Sequence, residues 1–109
     1  MLAWDIVVVP FPYPERLAEK RRPALIVSGE NLHRTGYLWI AMITRTGKAL
    51  VAGDIVIDEW EAAGLPVASM VRTSKIATVE PDRIVRRIGS LRDRHRSAVR
   101  KAITAFLAG

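Results

Sequence analysis

Cysteine is absent from the 109-residue chain, which excludes disulfides, thiol nucleophiles and cysteine-ligated metals. Histidine is almost absent: His33 and His95 form no His-x-x-His pair, and neither a metal site nor a metal cofactor is expected. Glycine-rich phosphate loops and a Gly-x-Ser-x-Gly elbow are also missing, which removes dinucleotide, nucleoside-triphosphate and α/β-hydrolase chemistry. Carboxylates number 11, and their one cluster, Asp58, Glu59 and Glu61, fits a helix start better than a glycosidase pair. No apolar run is long enough to cross a bilayer. The N-terminal "MLAWDIVVVPFPYPE" carries Asp5, lacks a basic leader and is broken by Pro10, Pro12 and Pro14. Neither a signal peptide nor a membrane span is expected, and the expected location is cytoplasmic.

Positive charge is what the chain has in excess. Seventeen Lys and Arg oppose 11 Asp and Glu, a net charge of +6. From Val71 onward ten cations face three anions, a balance that suits a polyanionic partner, although the cations after Arg92 also fit a solvated helix face. With 50% hydrophobic and 26% charged residues the composition is globular, and the length allows one domain spanning 1–109.

Residues 5–9 are rich in β-branched side chains and read as a strand, stopped by "PFPYP", whose alternate prolines forbid helix and central strand. Residues 10–21 then form a loop, long for so small a domain. "PALIVSG" reads as a second strand, "YLWIAMIT" as a third and "GDIVIDEW" as a fourth that ends near Ile57. Asp58 and Glu61 form a capping-box pair with Gly64 as the stop, predicting one or two helical turns. "ASMVRTSKIATV" supplies one or two strands and "RIVRRIG" another. Ser90 and Asp93 suggest a second capping box, and Val99, Ala102, Ile103, Phe106 and Leu107 recur at helical spacing. His95 falls on that apolar face and is read as a packing residue. The fold class is mainly β with α: a small barrel or sandwich with a short mid-chain helix and a C-terminal helix.

Arginine, threonine and serine remain to carry chemistry. They suit phosphodiester cleavage in RNA, where the ribose 2′-hydroxyl is already a nucleophile beside phosphorus. The protein then has to orient that hydroxyl and stabilise charge on the phosphoryl oxygens. A guanidinium fork donates two parallel hydrogen bonds to phosphate, but arginine is too weak an acid for efficient proton donation at neutral pH.

Taken in order, "WDIVVVPFPYPE", "KRRPALIVSGE", "YLWIAMITRTGK", "GDIVIDEWEAAGL", "ASMVRTSKIATVEPDRI" and "RRIGSL" resemble the MazF/PemK family of toxins from type II toxin–antitoxin systems, over about 4–107. The resemblance implies a small, strongly curved SH3-like β-barrel with a C-terminal helix, acting as a homodimer. It also implies metal-independent cleavage of single-stranded RNA through a 2′,3′-cyclic phosphate, inhibiting translation and growth. A cognate antitoxin would block the groove with a segment that folds on binding, and DNA would be met only through that complex. Carried over residue by residue, the catalytic arginine is Arg22 and the catalytic threonine Thr44, with Thr46 an alternative hydroxyl. Lys20, Arg21, Arg45 and Lys48 are candidates for RNA backbone contacts, and Ser69, Arg72, Ser74 and Lys75 for RNA binding near the groove. Two positions depart from the family pattern: Trp4 stands where a glycine commonly precedes Asp5, and Arg45 follows Thr44 where a small hydroxyl residue is common. The other function classes are a non-catalytic SH3-like module that holds nucleic acid, and a topoisomerase-targeting toxin of the same fold. For the last, the ending "AITAFLAG" lacks an exposed aromatic pair.

Overall fold

The structure, a computed structural model, describes residues 1–10, 20–47 and 49–109. Six strands form one antiparallel sheet: β1 (Asp5–Pro10), β2 (Arg21–Ile26), β3 (Leu38–Arg45), β4 (Asp54–Val56), β5 (Ser69–Val79) and β6 (Arg86–Ser90). Their spatial order is β4-β5-β3-β2-β1-β6. A four-residue helix, α1 (Glu30–His33), lies between β2 and β3, and α2 (Asp93–Phe106) closes the chain.

Both faces of the central strands are buried, which is why they read as continuous apolar runs rather than as alternating ones. Leu25, Ala41 and Ile43 enter one cluster together with Ile6, Ile57, Leu65, Val71, Leu91 and Val99. Their neighbours Ala24, Ile26, Ile40 and Met42 enter a second with Val7, Val9, Leu38 and Val79. β5 carries a large bulge against β3. Arg72 pairs with Met42 and Ile76 with the adjacent Ala41, so Thr73, Ser74 and Lys75 have no counterpart on β3. Such an insertion bends and twists its strand, and it brings Val79 round to Leu38. The sheet remains open, with β4 and β6 as its edges.

Several expectations need correction. β2 starts at Arg21 rather than at the proline, which places both arginines on the strand instead of in the loop. Residues 58–64 form turns and not a helix; the short mid-chain helix is α1, in a segment with no cap signal. Asp58 has a different partner: its backbone N–H donates to His95 Nε2 at 3.4 Å, and Arg94 bridges Asp58 and Glu59. The Ser90–Asp93 box does not form either. The N-cap is Arg92 without a side-chain cap bond, and Asp93 pairs with Arg96 at 2.9 Å. His95 is buried, as a packing residue should be. Much of the C-terminal positive excess is therefore matched internally, since Arg72, Arg87, Arg92, Arg94 and Arg96 all meet carboxylates.

Candidate active site

The register of β2 on β3 pairs Ala24 with Met42, Leu25 with Ala41 and Ile26 with Ile40. Continued two residues further, it sets Arg22 level with Thr44. The ladder stops short of them for a chemical reason: Pro23 has no N–H to donate. Beyond it lies a cleft of about 330 Å³ lined by Arg22, Pro23, Ile43 and Thr44. The far wall comes from Pro66, Val67 and Ser69. The Ser69 hydroxyl donates to the Val67 carbonyl at 2.8 Å, which fixes the turn that enters β5.

Among the described residues that line this cleft the charge has one sign: Lys20, Arg21, Arg22 and Arg45 are present, without an Asp or Glu. Low-dielectric walls lined by one sign of charge focus the field on an incoming anion. Thr44 is buried at 6% exposure, so its hydroxyl sits at a fixed position on the strand, whereas Lys20, Arg21 and Arg45 are exposed. The candidates thus divide into the less exposed Arg22 and Thr44 and an exposed cationic rim.

The remaining candidates fall elsewhere. Thr46 lies just past β3, where its N–H donates to the Ala68 carbonyl at 3.0 Å and its hydroxyl reaches the same oxygen at 3.4 Å; it does not line the cleft. Arg72 is turned to Asp54 by two hydrogen bonds of 3.1 and 2.9 Å. Ser74 and Lys75 sit in the β5 bulge, away from the cleft-lining end of that strand. Lys48 and most of the proline-rich loop lie outside the described residues. Sequence reasoning missed Pro66 and Val67, an exposed apolar pair whose only signal was its place just before Ser69.

Two other constellations are structural. Glu30 and His33 have Glu-x-x-His spacing on α1, but Glu30 pairs with Arg34 at 3.5 Å and His33 Nε2 lies 2.9 Å from the Ser28 hydroxyl. That hydroxyl also accepts from the Trp39 N–H, and the trio pins α1 against β3. On the α2 side, Trp39, Ile76, Phe106 and Leu107 are exposed and share an apolar groove with Ile103. An exposed aromatic pair is therefore present near the C-terminus, with Trp39 of β3 supplying the ring that "AITAFLAG" lacks.

The family model for PemK-like, MazF-like toxins of type II toxin–antitoxin systems matches residues 3–107. The chain belongs to this toxin family. Members of the family are generally endoribonucleases. Among solved structures, this MazF-like chain is similar to the Mycobacterium tuberculosis toxin MazF-mt6, with 25% identity, 93% of each chain covered and a TM-score of 0.73. The fold is shared with MazF from Deinococcus radiodurans at 19% identity, covering 96% of this chain and 94% of that one, with a TM-score of 0.75. It is shared also with a mycobacterial endoribonuclease solved in complex with its cognate antitoxin, at 17% identity, 96% and 92% coverage and a TM-score of 0.76. Curated protein sequences gave no match. Trp4 of this MazF-like chain keeps a left-handed backbone, φ +73°, the conformation that a glycine ahead of Asp5 would adopt without strain. No helix among the described residues is long and apolar enough to cross a membrane.

Proposed function

We propose that the protein is a metal-independent ribonuclease toxin of the cytoplasm that cleaves single-stranded RNA in the Arg22–Thr44 cleft. The observation that carries this reading is the shared register level of these two residues in a cleft whose described lining holds four cations and no carboxylate. In the reaction the 2′-hydroxyl attacks phosphorus, the O2′–P bond forms and the P–O5′ bond breaks. The products are a 2′,3′-cyclic phosphate and a 5′-hydroxyl, with net transfer of one proton from O2′ to O5′ through water. Arg22 donates to the phosphoryl oxygens as their charge grows, and the Thr44 hydroxyl holds another oxygen, so the phosphate is fixed for in-line attack. Lys20, Arg21 and Arg45 hold the neighbouring backbone phosphates.

An antitoxin with an acidic segment would compete for the same cationic cleft. The second protomer of a homodimer is assigned to the groove of Trp39, Ile76, Phe106 and Leu107, an apolar face able to meet its own copy about a two-fold axis. Trp39→Glu should then yield monomers in analytical ultracentrifugation.

The deciding experiment is cleavage of a mixed-sequence RNA in EDTA, free of antitoxin. Wild-type protein should give products ending in a cyclic phosphate, and folded Arg22→Ala and Thr44→Ala should each lose about 10²–10³-fold in rate. Intact RNA with the wild type would end the nuclease reading. Salt-sensitive binding without product would leave a nucleic-acid-holding module in its place.

A further inference from the structure

Pro10 and Arg21 are paired residues of β1 and β2, yet they line different clefts. Arg21 belongs to the cationic cleft, and Pro10 to a second one of about 510 Å³. Paired residues of antiparallel strands have Cα atoms about 5 Å apart, so the walls of the two clefts meet at this pair. RNA held by its phosphate in the first has a flanking nucleotide within reach of the second.

The chemistry of the second cleft is different. Beside Pro10 it is lined by Tyr37, Thr78, Glu80, Asp82 and Arg83. Tyr37 stands just before β3 with its side chain exposed. Glu80 and Asp82 come from the 3₁₀ turn that follows β5 (Pro81–Arg83) and its N-cap. The two carboxylates accept hydrogen bonds from a neutral base, and with Arg83 as the one cation among the described lining residues this cleft suits a phosphate less than the first does. An exposed aromatic ring next to them offers a stacking platform.

An ionised carboxylate only accepts hydrogen bonds, which selects among the bases. Guanine presents two adjacent donors, N1–H and the 2-amino group, matching the two oxygens of one carboxylate. Adenine and cytosine place a ring acceptor beside their amino group, and uracil flanks its single N–H with carbonyls; each sets a lone pair against the carboxylate. We propose that the Tyr37 cleft is a guanine-reading subsite for a nucleotide flanking the cut, with Tyr37 stacking the base and Glu80 or Asp82 reading its Watson–Crick edge. The inference rests on the ribonuclease reading, although guanine binding is measurable without it.

Two measurements separate these claims. The first titrates the four nucleoside 5′-monophosphates into ¹⁵N-labelled protein and follows amide resonances. GMP alone should shift those of Tyr37, Thr78 and Asp82, and a Glu80→Gln/Asp82→Asn variant should lose the shifts while its spectrum elsewhere is unchanged. The second maps cleavage ends on mixed RNA. Guanine should occupy one fixed position beside the cut, and its preference should drop about tenfold in the double variant and in Tyr37→Ala. Equal shifts with all four nucleotides, no shifts, or a guanine preference undiminished in the variants would overturn the subsite. Guanine-selective shifts in a protein that cuts no RNA would refute the nuclease and leave a guanine pocket. Cleavage without base preference would do the reverse.

Discussion

Asp54 and Arg72 face each other across the β4–β5 pair and are joined by two parallel hydrogen bonds, Nε to Oδ1 at 3.1 Å and Nη2 to Oδ2 at 2.9 Å. The Asp54 side chain is almost wholly buried. The Arg72 guanidinium holds its carboxyl below the usual 3.8, with help from the Val51 N–H and against the opposing effect of burial. A carboxylate with a lowered folded pKa stabilises the fold above its unfolded value and loses that contribution as pH falls through the folded one. Asp54→Asn should therefore cost about 2–3 kcal/mol at neutral pH. In urea melts across pH, the gap between variant and wild type should narrow only below the unfolded pKa. A constant gap down to strongly acidic pH would show that this ion pair does not carry the difference.

Arg22 and Lys20 are both cations of the cleft, but their roles predict different tolerances. Arg22→Lys should cut RNA at least about tenfold more slowly, because a point charge cannot replace a two-pronged donor. Lys20→Arg should stay within about twofold of wild type, a rim contact with phosphate being a matter of charge. Single-turnover kinetics on one oligonucleotide would test both.

Thr44 and Thr46 are distinguished by position. Thr44 lines the cleft and Thr46 is bonded to Ala68. Thr44→Ala should abolish most cleavage, with Thr44→Ser partly restoring it, while Thr46→Ala should lose less than about tenfold. The opposite order would move the catalytic hydroxyl to Thr46.

Gly64 and Gly89 bring two backbones together. A Cβ on Gly64 would collide with the Ile88 carbonyl, and one on Gly89 with the Ala63 carbonyl; Gly64 also has φ +90°. Gly64→Ala and Gly89→Ala should each destabilise by roughly 3 kcal/mol. Gly29→Ala, which has open space around it, should change stability by less than about 0.5 kcal/mol. Thermal denaturation of the three variants gives the comparison.

Trp4 carries a left-handed backbone between two bonds, its N–H to Ile26 and its carbonyl from Leu91, and Arg100 lies 5.5 Å over its ring. Both Trp4→Ala and Trp4→Gly lose the ring. Only glycine also relieves the conformation, so Trp4→Gly should be more stable than Trp4→Ala by about 1 kcal/mol. Equal melting temperatures would argue that the turn relaxes.

What was legible in the sequence follows from what each signal encodes. Apolar runs located the strands because two-sided burial leaves little polar alternation, and helical spacing located α2 from Val99 onward. The capping box at Asp58 misled, because the Asp58 side chain also serves as an ion-pair partner for Arg94, and spacing does not record which use prevails. Arg72, Ser74 and Lys75 appeared close to the groove for a related reason. The β5 bulge that carries two of them away is an insertion visible only when β5 is set against β3. Arg22 and Thr44 came from family resemblance; their common level became visible only through strand register.

That register also has a developmental meaning for the molecule. Sliding β2 by one residue along β3 would set Arg21 against Thr44 and at the same time exchange Leu25 with Ala24 and Ile26 between the two apolar clusters. A chain that misaligned its proposed catalytic pair would therefore be a chain that had failed to bury its own interior. Proofreading of the site is delegated to folding itself, and a poorly assembled copy would be an unstable protein before it could be a misaligned one.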